Sequence, residues 1–191
     1  MITNALQFLL HTILGLFTIV VLLRFYLQMT RAPFQNPLSQ AVVGLTNFIV
    51  MPLRRVIPGW GNMDNASLVA AFIAQLLLHL GIQYTRGFPL LVADQSVWLA
   101  LPALALVGVI KFSIYIFLYA VILQAILSWF NPHTIISPAL QALTRPIIRP
   151  VQKIVPLVSG IDLSPLIVFI LAELILIVVV TPVEIQLLRL F

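Results

Sequence analysis

The side chains best able to do chemistry in this chain are the few polar residues that interrupt long apolar stretches. Glu173 lies near the middle of the last apolar stretch, and Lys111 lies inside another. A charge at the centre of a bilayer costs roughly 3 kcal/mol unless it is paired, so such residues are functional candidates by default. Together they define a candidate intramembrane polar cluster: Glu173, Gln75, His79, His11 and Lys111.

Two interpretations of this cluster are open. In the first, Glu173 is protonated or is paired with Lys111 or a histidine, and the contact joins helices. In the second, the polar side chains line a path for a proton or another cation. One carboxylate and two separate histidines indicate such a path only weakly, so the structural interpretation is favoured.

A second set of candidate residues belongs to a sequence segment that occurs twice. Between the segments 36–64 and 137–162, a constant offset of 98 places Pro52 on Pro150, Pro58 on Pro156 and Asp64 on Asp162. Self-similarity at a fixed offset indicates a duplicated unit. Basic residues in these segments form a candidate surface for anionic lipid headgroups or a protein partner: Arg54, Arg55, Arg145, Arg149 and Lys153.

Each copy of the segment carries helix-start chemistry at both of its ends. It begins with a polar residue before proline, Asn36-Pro37 or Ser137-Pro138. It ends with Asp64 or Asp162 directly before an apolar stretch, where a carboxylate favours a helix N-terminus. We therefore expect helix caps at Asn36, Asp64, Ser137 and Asp162. The alternative is that the two aspartates bind a cation or pair with nearby basic residues.

The composition of the chain is that of a membrane protein. Of 191 residues, 62% are hydrophobic and 8% are charged, which is more apolar surface than a soluble domain of this size can bury. Three apolar runs, 6–23, 66–84 and 163–181, approach the roughly 20 residues that cross a bilayer. The first run lacks a basic start and a cleavage site, so we interpret it as a retained span. The absence of cysteine excludes disulfides and thiolate chemistry.

The remaining apolar stretch, 97–130, is too long for one straight crossing, because a helix of this length extends about 50 Å. We expect an interfacial or protruding part at 97–110 and a span at about 108–129, with a hairpin of two short spans as the alternative. The repeated segments are expected to form interfacial or partly re-entrant hairpins, with Pro52 breaking or kinking the first helix. Arg24, near the end of the first span, is expected to extend to the headgroups.

These elements predict an all-α membrane protein with about four transmembrane helices. The spans form two parallel tandem repeats, residues 1–95 and 96–191, each with an amphipathic interfacial or re-entrant segment. Basic residues flank both segments, whereas Arg86 is offset by Asp94 in the connection between the halves. Because cytoplasmic loops are enriched in Lys and Arg, both segments are predicted on the cytoplasmic face and both termini outside it.

Several function classes are not expected. The sequence has no GxSxG, HExxH or phosphate-cradling glycine motif, so no enzymatic activity and no catalytic residues are predicted. Despite a net charge of +5, no Lys/Arg-rich run or aromatic-interleaved basic patch indicates a nucleic acid. Neither a metal nor a cofactor is predicted. The expected partners are anionic lipid headgroups, an unidentified membrane protein and a second copy of the chain.

The first copy reads Asn36-Pro37, Thr46, Pro-Leu-Arg-Arg at 52–55 and Asp64, and the second copy ends in Gly-Ile-Asp-Leu-Ser-Pro at 160–165, which is the most specific part together with its upstream prolines. This pattern resembles the YggT family, including its YlmG-like members, over nearly the whole chain. The resemblance implies a multi-pass protein of the bacterial inner membrane with tandem repeats. Relatives are linked to division or nucleoid distribution, to maturation of a b-type cytochrome complex, and to potassium and osmotic tolerance. The two copies differ where Arg54 corresponds to Gln152.

Two functions follow from these observations. The first is a non-enzymatic scaffold or assembly factor that acts through its repeated amphipathic segments. The second is a potassium- or proton-handling protein, or a transporter component, that contributes to osmotic tolerance. The first is favoured because the repeated sequence lies in the amphipathic segments, whereas the intramembrane polar residues differ between the copies.

Overall fold

The computed structural model describes residues 1–89, 94–130, 134–155 and 162–191, and the regular elements in these ranges are helices. In chain order they are α1 (Ile2–Met29), α2 (Pro37–Val56), α3 (Asn65–Thr85), α4 (Gln95–Phe130), α5 (Ser137–Ile154), α6 (Ser164–Ile175), a π-helical turn (Leu176–Val180) and α7 (Thr181–Leu188). Four stretches are long and apolar enough to cross a membrane: Ile2–Met29, Asn65–Thr85, Gln95–Ser128 and Ser164–Leu188. The predicted all-α membrane fold with four spans is confirmed.

The two halves repeat one order of elements: an apolar helix, an amphipathic helix and a second apolar helix. Corresponding residues make corresponding contacts. Arg24 of α1 donates a hydrogen bond to Thr46 of α2, and Thr144 of α5 donates one to Gln124 of α4. Ala32, just before α2, packs with Ala139 of α5, so both amphipathic helices lie at one end of the bundle. We call this end the α2/α5 side.

One apolar cluster draws on both repeats. Leu22 of α1 and Val50 of α2 are fully buried in it, together with Val109 of α4 and Leu143 of α5. Close packing of these side chains stabilises the molecule only when the halves are together, since each half contributes part of the cluster. The repeats therefore share a core instead of folding around separate ones.

A close contact between α3 and α4 explains the glycine at position 108. A β-carbon at Gly108 would collide with the amide group of Gln75. Gln75 is 1% exposed, and its Nε2 donates to Thr18 Oγ1 at 2.9 Å. Glycine lets the backbone of α4 approach this buried polar pair, which links α1 to α3.

The expectation for the long apolar stretch is partly wrong. α4 is one helix of 36 residues, so the hairpin of two short spans does not form. Its first part is not detached either, because Val97, Leu101 and Leu104 are buried. Lys111, within this stretch, has a carboxylate partner on another helix, and α4 continues past it without interruption.

The amphipathic segments are single helices, not hairpins, and their prolines do not end them. Pro52 lies within α2, and Pro146 and Pro150 lie within α5. All three prolines are exposed. A helical proline removes one donor to the carbonyl a turn earlier, and on an exposed face that carbonyl is not trapped in an apolar core. The predicted break at Pro52 is therefore wrong.

The two predicted helix starts differ in detail. Asn36 is the N-cap of α2, and its Oδ1 accepts from Ser39 N at 2.9 Å, with Pro37 in the first turn. The N-cap of α5 is Ile136, so the cap expected at Ser137 is not formed by that residue. Ser137 is already helical, and its hydroxyl pairs with Thr134 Oγ1 at 2.6 Å instead of receiving a backbone amide.

Candidate functional site

Helices α1, α2 and α3 meet at Asp64, on the α2/α5 side of the first repeat. Arg54, in the last turn of α2, donates from Nη2 to Asp64 Oδ2 at 2.6 Å and from Nε to Oδ1 at 3.1 Å. Ser67 Oγ donates to Oδ2 at 2.6 Å. Asp64 holds the N-cap position of α3, yet its side chain accepts no capping amide. The capping role expected for its carboxylate is therefore replaced by the alternative, ion pairing.

Arg24 of α1 is the third charged residue of this first site. It is 4% exposed, and its Nη1 donates to Thr46 Oγ1 at 2.8 Å and to Asn47 Oδ1 at 2.9 Å. Its Nε lies 3.6 Å from Asp64 Oδ2. These acceptors replace the water that a buried guanidinium loses, so Arg24 points into the bundle. The expectation that Arg24 extends to the headgroups is wrong.

The basic neighbours of Asp64 favour the charged form of its carboxylate. Burial by itself raises the pKa of Asp64, but hydrogen bonds from Arg54 and Ser67 and the charges of Arg54 and Arg24 hold it below the ordinary value. The hydrogen bond to Asp64 raises the pKa of Arg54. Both carboxylate oxygens are occupied by donors, and the described residues contain no group of three His, Cys, Asp or Glu that could hold a metal. This site joins three helices.

The second repeat has the same framework with neutral partners. Gln152 Nε2 donates to Asp162 Oδ2 at 2.7 Å, and Ser164 N donates to Oδ1 at 2.9 Å. At the described positions, no Lys, Arg or His nitrogen lies within 4.0 Å of Asp162. Burial alone raises the pKa of Asp162, but hydrogen bonds from Ser164 and Gln152 lower it overall. Asp162 is exposed, whereas Asp64 is 1% exposed.

Two adjoining cavities lie beside Asp162. The larger, about 920 Å³, is lined by residues of α4, α5 and α6, including Asp162, Gln152 and Phe169. The smaller, about 480 Å³, is lined by residues that include Arg145 and Arg149. Three residues line both cavities: Gln124, Ile148 and Gln152. Arginine side chains occupy the space around Asp64, whereas a cavity adjoins Asp162.

The sequence profile of the CCB3/YggT family matches residues 3–85 and 103–183, one segment in each half of the chain. The chain belongs to the CCB3/YggT family. The Escherichia coli K12 protein named YggT is 36% identical over 171 residues, which cover 88% of this chain and 85% of that protein. An uncharacterized Pseudomonas aeruginosa protein is 35% identical over 179 residues, covering 91% and 87%. No solved structure gives a significant match.

The basic residues of this CCB3/YggT chain are not equivalent. Arg54 is committed to Asp64, although 40% of its side chain is exposed. Arg145, Arg149 and Lys153 are exposed and follow one another at intervals of four, so they share one face of α5. Arg55 is also exposed. Of the five predicted basic residues, three of the four that form no ion pair among the described residues therefore lie together on α5.

The candidate intramembrane cluster does not assemble around Glu173. Lys111 Nζ pairs with Glu184 Oε2 at 2.7 Å, and Glu173 has no ion-pair partner within 4.0 Å among the described residues. His79 is 9% exposed and His11 is exposed. Gln75 pairs with Thr18, as described above.

Two charged members of these polar contacts fall outside the sequence-predicted sites, Glu184 and Arg24. The predicted last span ends at Thr181, which leaves Glu184 outside the candidate cluster although α7 extends the helix to Leu188. A sequence signal for Arg24 exists. It corresponds to Gln124 at an offset of 100, and a polar residue kept at the same depth in both repeats indicates an inward-facing contact.

Proposed function

We propose that this CCB3/YggT protein is a non-enzymatic scaffold or assembly factor of the bacterial inner membrane. Its amphipathic helices α2 and α5 lie on the cytoplasmic face, and α5 provides the binding surface. The observation that carries the proposal is the exposed row of Arg145, Arg149 and Lys153, which no acidic side chain neutralises within 4.0 Å at the described positions.

The charge inventory supports this proposal. The chain has ten Lys and Arg residues and five Asp and Glu residues. Asp64 and Glu184 are already paired within the molecule. Near an anionic membrane surface each basic side chain contributes about 1 kcal/mol, so the row on α5 holds this helix against the headgroups. Such a helix is also placed to contact acidic segments of a membrane protein partner.

Photocrosslinking in native membranes tests the scaffold proposal. Gln141 is exposed and one turn before Arg145 on the same face of α5, so it suits a photoreactive amino acid. We expect a discrete protein adduct from this position, and we expect Arg145→Glu with Arg149→Glu to remove most of it. Arg86→Glu, at the C-cap of α3, provides a matched charge-reversal control that should leave the adduct unchanged. Adducts that consist only of lipid, or that survive the reversal on α5, would contradict a partner-binding role.

The second candidate function is the handling of potassium or protons. The specific observation is the Lys111–Glu184 ion pair between two spans, with both side chains less than one third exposed. A pair that neutralises itself favours helix association, so this function ranks second. Ion flux into vesicles containing the purified chain provides the test. Flux that is lost in Glu184→Gln and kept in Glu173→Gln would establish ion handling and remove the scaffold as the sole function.

A further inference from the structure

The two repeats differ in the groups that contact their equivalent carboxylates, Asp64 and Asp162. In the first, the carboxylate of Asp64 receives two guanidinium groups from the chain itself, Arg54 and Arg24. In the second, the corresponding positions are Gln152 and Gln124. The carboxylate remains as Asp162. The first repeat therefore shows what kind of group satisfies this carboxylate, and the second repeat does not supply one from its described residues.

A cavity lies beside Asp162, the carboxylate that has no positively charged partner among the described residues. The cavity of about 920 Å³ has Asp162 and Gln152 at its polar end. Most of its remaining lining is apolar, and three of these residues are also exposed on the outside of the spans: Ile126, Leu166 and Phe169. A cavity of this size accommodates a small-molecule ligand. Its exposed apolar wall on α4 and α6 is the surface that faces acyl chains in a bilayer.

The adjoining cavity supplies the opposite charge. Arg145 and Arg149 line it, and it shares Gln124, Ile148 and Gln152 with the larger one. A ligand at this shared boundary has an anionic side chain on one side and two cationic side chains on the other. A single arginine from another protein would form an ion pair with Asp162 but would give Arg145 and Arg149 no anionic partner. A headgroup that contains both an ammonium and a phosphate matches all three.

We propose that the two cavities between α4, α5 and α6 form a binding site for a zwitterionic phospholipid with a primary ammonium headgroup. The ammonium donates a hydrogen bond to Asp162 beside Gln152, which already donates to Oδ2, and it supplies the positive charge that Arg54 gives to Asp64 in the first repeat. The phosphate lies against Arg145 and Arg149. An acyl chain follows the apolar wall that includes Leu166 and Phe169. This site shares Arg145 and Arg149 with the scaffold proposal, but Asp162 belongs to the lipid site alone, so substitutions at Asp162 test the lipid site separately.

Native mass spectrometry of the full purified chain tests the site with three lipids of equal chain length. They are phosphatidylethanolamine, phosphatidylcholine, whose quaternary ammonium cannot donate a hydrogen bond, and phosphatidylglycerol, which has no cation. We expect phosphatidylethanolamine to bind about tenfold more tightly than either of the others, because one charge-assisted hydrogen bond distinguishes them. Asp162→Asn should abolish this preference, and Asp94→Asn, at an exposed carboxylate beside α4, should preserve it.

A second variant guards against a loss caused by misfolding. Gln152→Arg copies the first repeat and brings a guanidinium from the chain to Asp162, so it should weaken phosphatidylethanolamine binding without lowering the melting temperature. Equal binding of the three lipids by the native chain would overturn the proposal. So would a preference for phosphatidylethanolamine that is unchanged in both Asp162→Asn and Gln152→Arg. A bound protein that Gln152→Arg displaces, with no lipid preference, would assign the carboxylate to a partner's cation instead.

Discussion

A carboxylate as buried as Asp64 is stable only because charged donors replace its lost hydration. Arg54 supplies a two-point contact from α2, and Arg24 approaches from α1. Removal of one member of such a group leaves another charge buried without its partner, which costs more than the pair itself contributes. Single substitutions at this site should therefore destabilise the protein strongly.

Asp64→Asn is the sharpest test of this network. It keeps the size of the side chain but leaves Arg24, which is 4% exposed, without its carboxylate. We expect a loss of about 3 kcal/mol, or roughly 5 to 10 °C in melting temperature, measured in detergent by fluorescence. Asp94→Asn removes the same charge at an exposed position and should change stability by less than about 0.5 kcal/mol. Equal melting temperatures for the two variants would show that the pairs contribute nothing.

The pH dependence of stability should follow from the same carboxylate. Because the folded protein holds the pKa of Asp64 below its ordinary value, the stabilisation is complete above the unfolded pKa of about 4. It is lost as the pH falls through the lowered folded pKa. The stability difference between the native chain and Asp64→Asn should therefore be constant near neutral pH and should shrink below about pH 4. A difference that grows on acidification would reverse the assigned direction of the shift.

Gly108 offers a test of the contact between α3 and α4. Gly108→Ala places a methyl group against the buried amide of Gln75 and should cost about 1 to 3 kcal/mol. Gly44→Ala, in α2, meets nothing within 4 Å and should be neutral or slightly stabilising. In a double-mutant cycle, Gln75→Ala should relieve part of the cost of Gly108→Ala. Strictly additive effects would mean that the two residues do not compete for the same space.

At the scale of elements, α2 and α5 pack in the same way but place their positively charged side chains differently. Both are proline-containing amphipathic helices that pack on the preceding span through a threonine, Thr46 or Thr144. α2 uses its last-turn arginine, Arg54, within the molecule. α5 has Gln152 in its place and carries its positive charge outward. The glutamines at the positions equivalent to Arg24 and Arg54 thus give the second repeat different internal contacts from the first.

The continuity of α4 can be measured because the chain contains no cysteine, so introduced thiols are unique. Leu99→Cys and Ser128→Cys place labels at exposed positions near the two ends of this helix. At 1.5 Å per residue, the two sites should be about 44 Å apart by electron spin resonance. In intact cells an impermeant maleimide should label only Leu99→Cys, as the predicted orientation requires. Labelling of both sites from the same side would mean that this segment does not cross once.

For the whole molecule, composition and a constant offset were sufficient to predict four spans in two parallel repeats. They could not predict the rotation of each helix, which decides whether Arg24 faces lipid or Asp64. The same limit applies to Lys111. Its partner, Glu184, is 73 residues away and is set by how α4 and α7 pack. The sequence also could not show that α2 continues through Pro52, because the cost of the missing backbone hydrogen bond depends on how exposed that position is.

The shared core predicts that neither half is stable alone. Fragments 1–95 and 96–191 follow the predicted repeat boundary, and each contributes buried residues to the cluster that contains Leu22 and Val109. When co-expressed, they should purify together through a tag on either one, because the cut removes only the first residue of α4 from the second fragment. Expressed singly, each should aggregate in detergent, since its part of the cluster lacks the helices of the other half that pack against it. A cut after Gly108, inside α4, should abolish assembly and serves as the control. A single fragment that is monodisperse and helical would show that each repeat can form its own core.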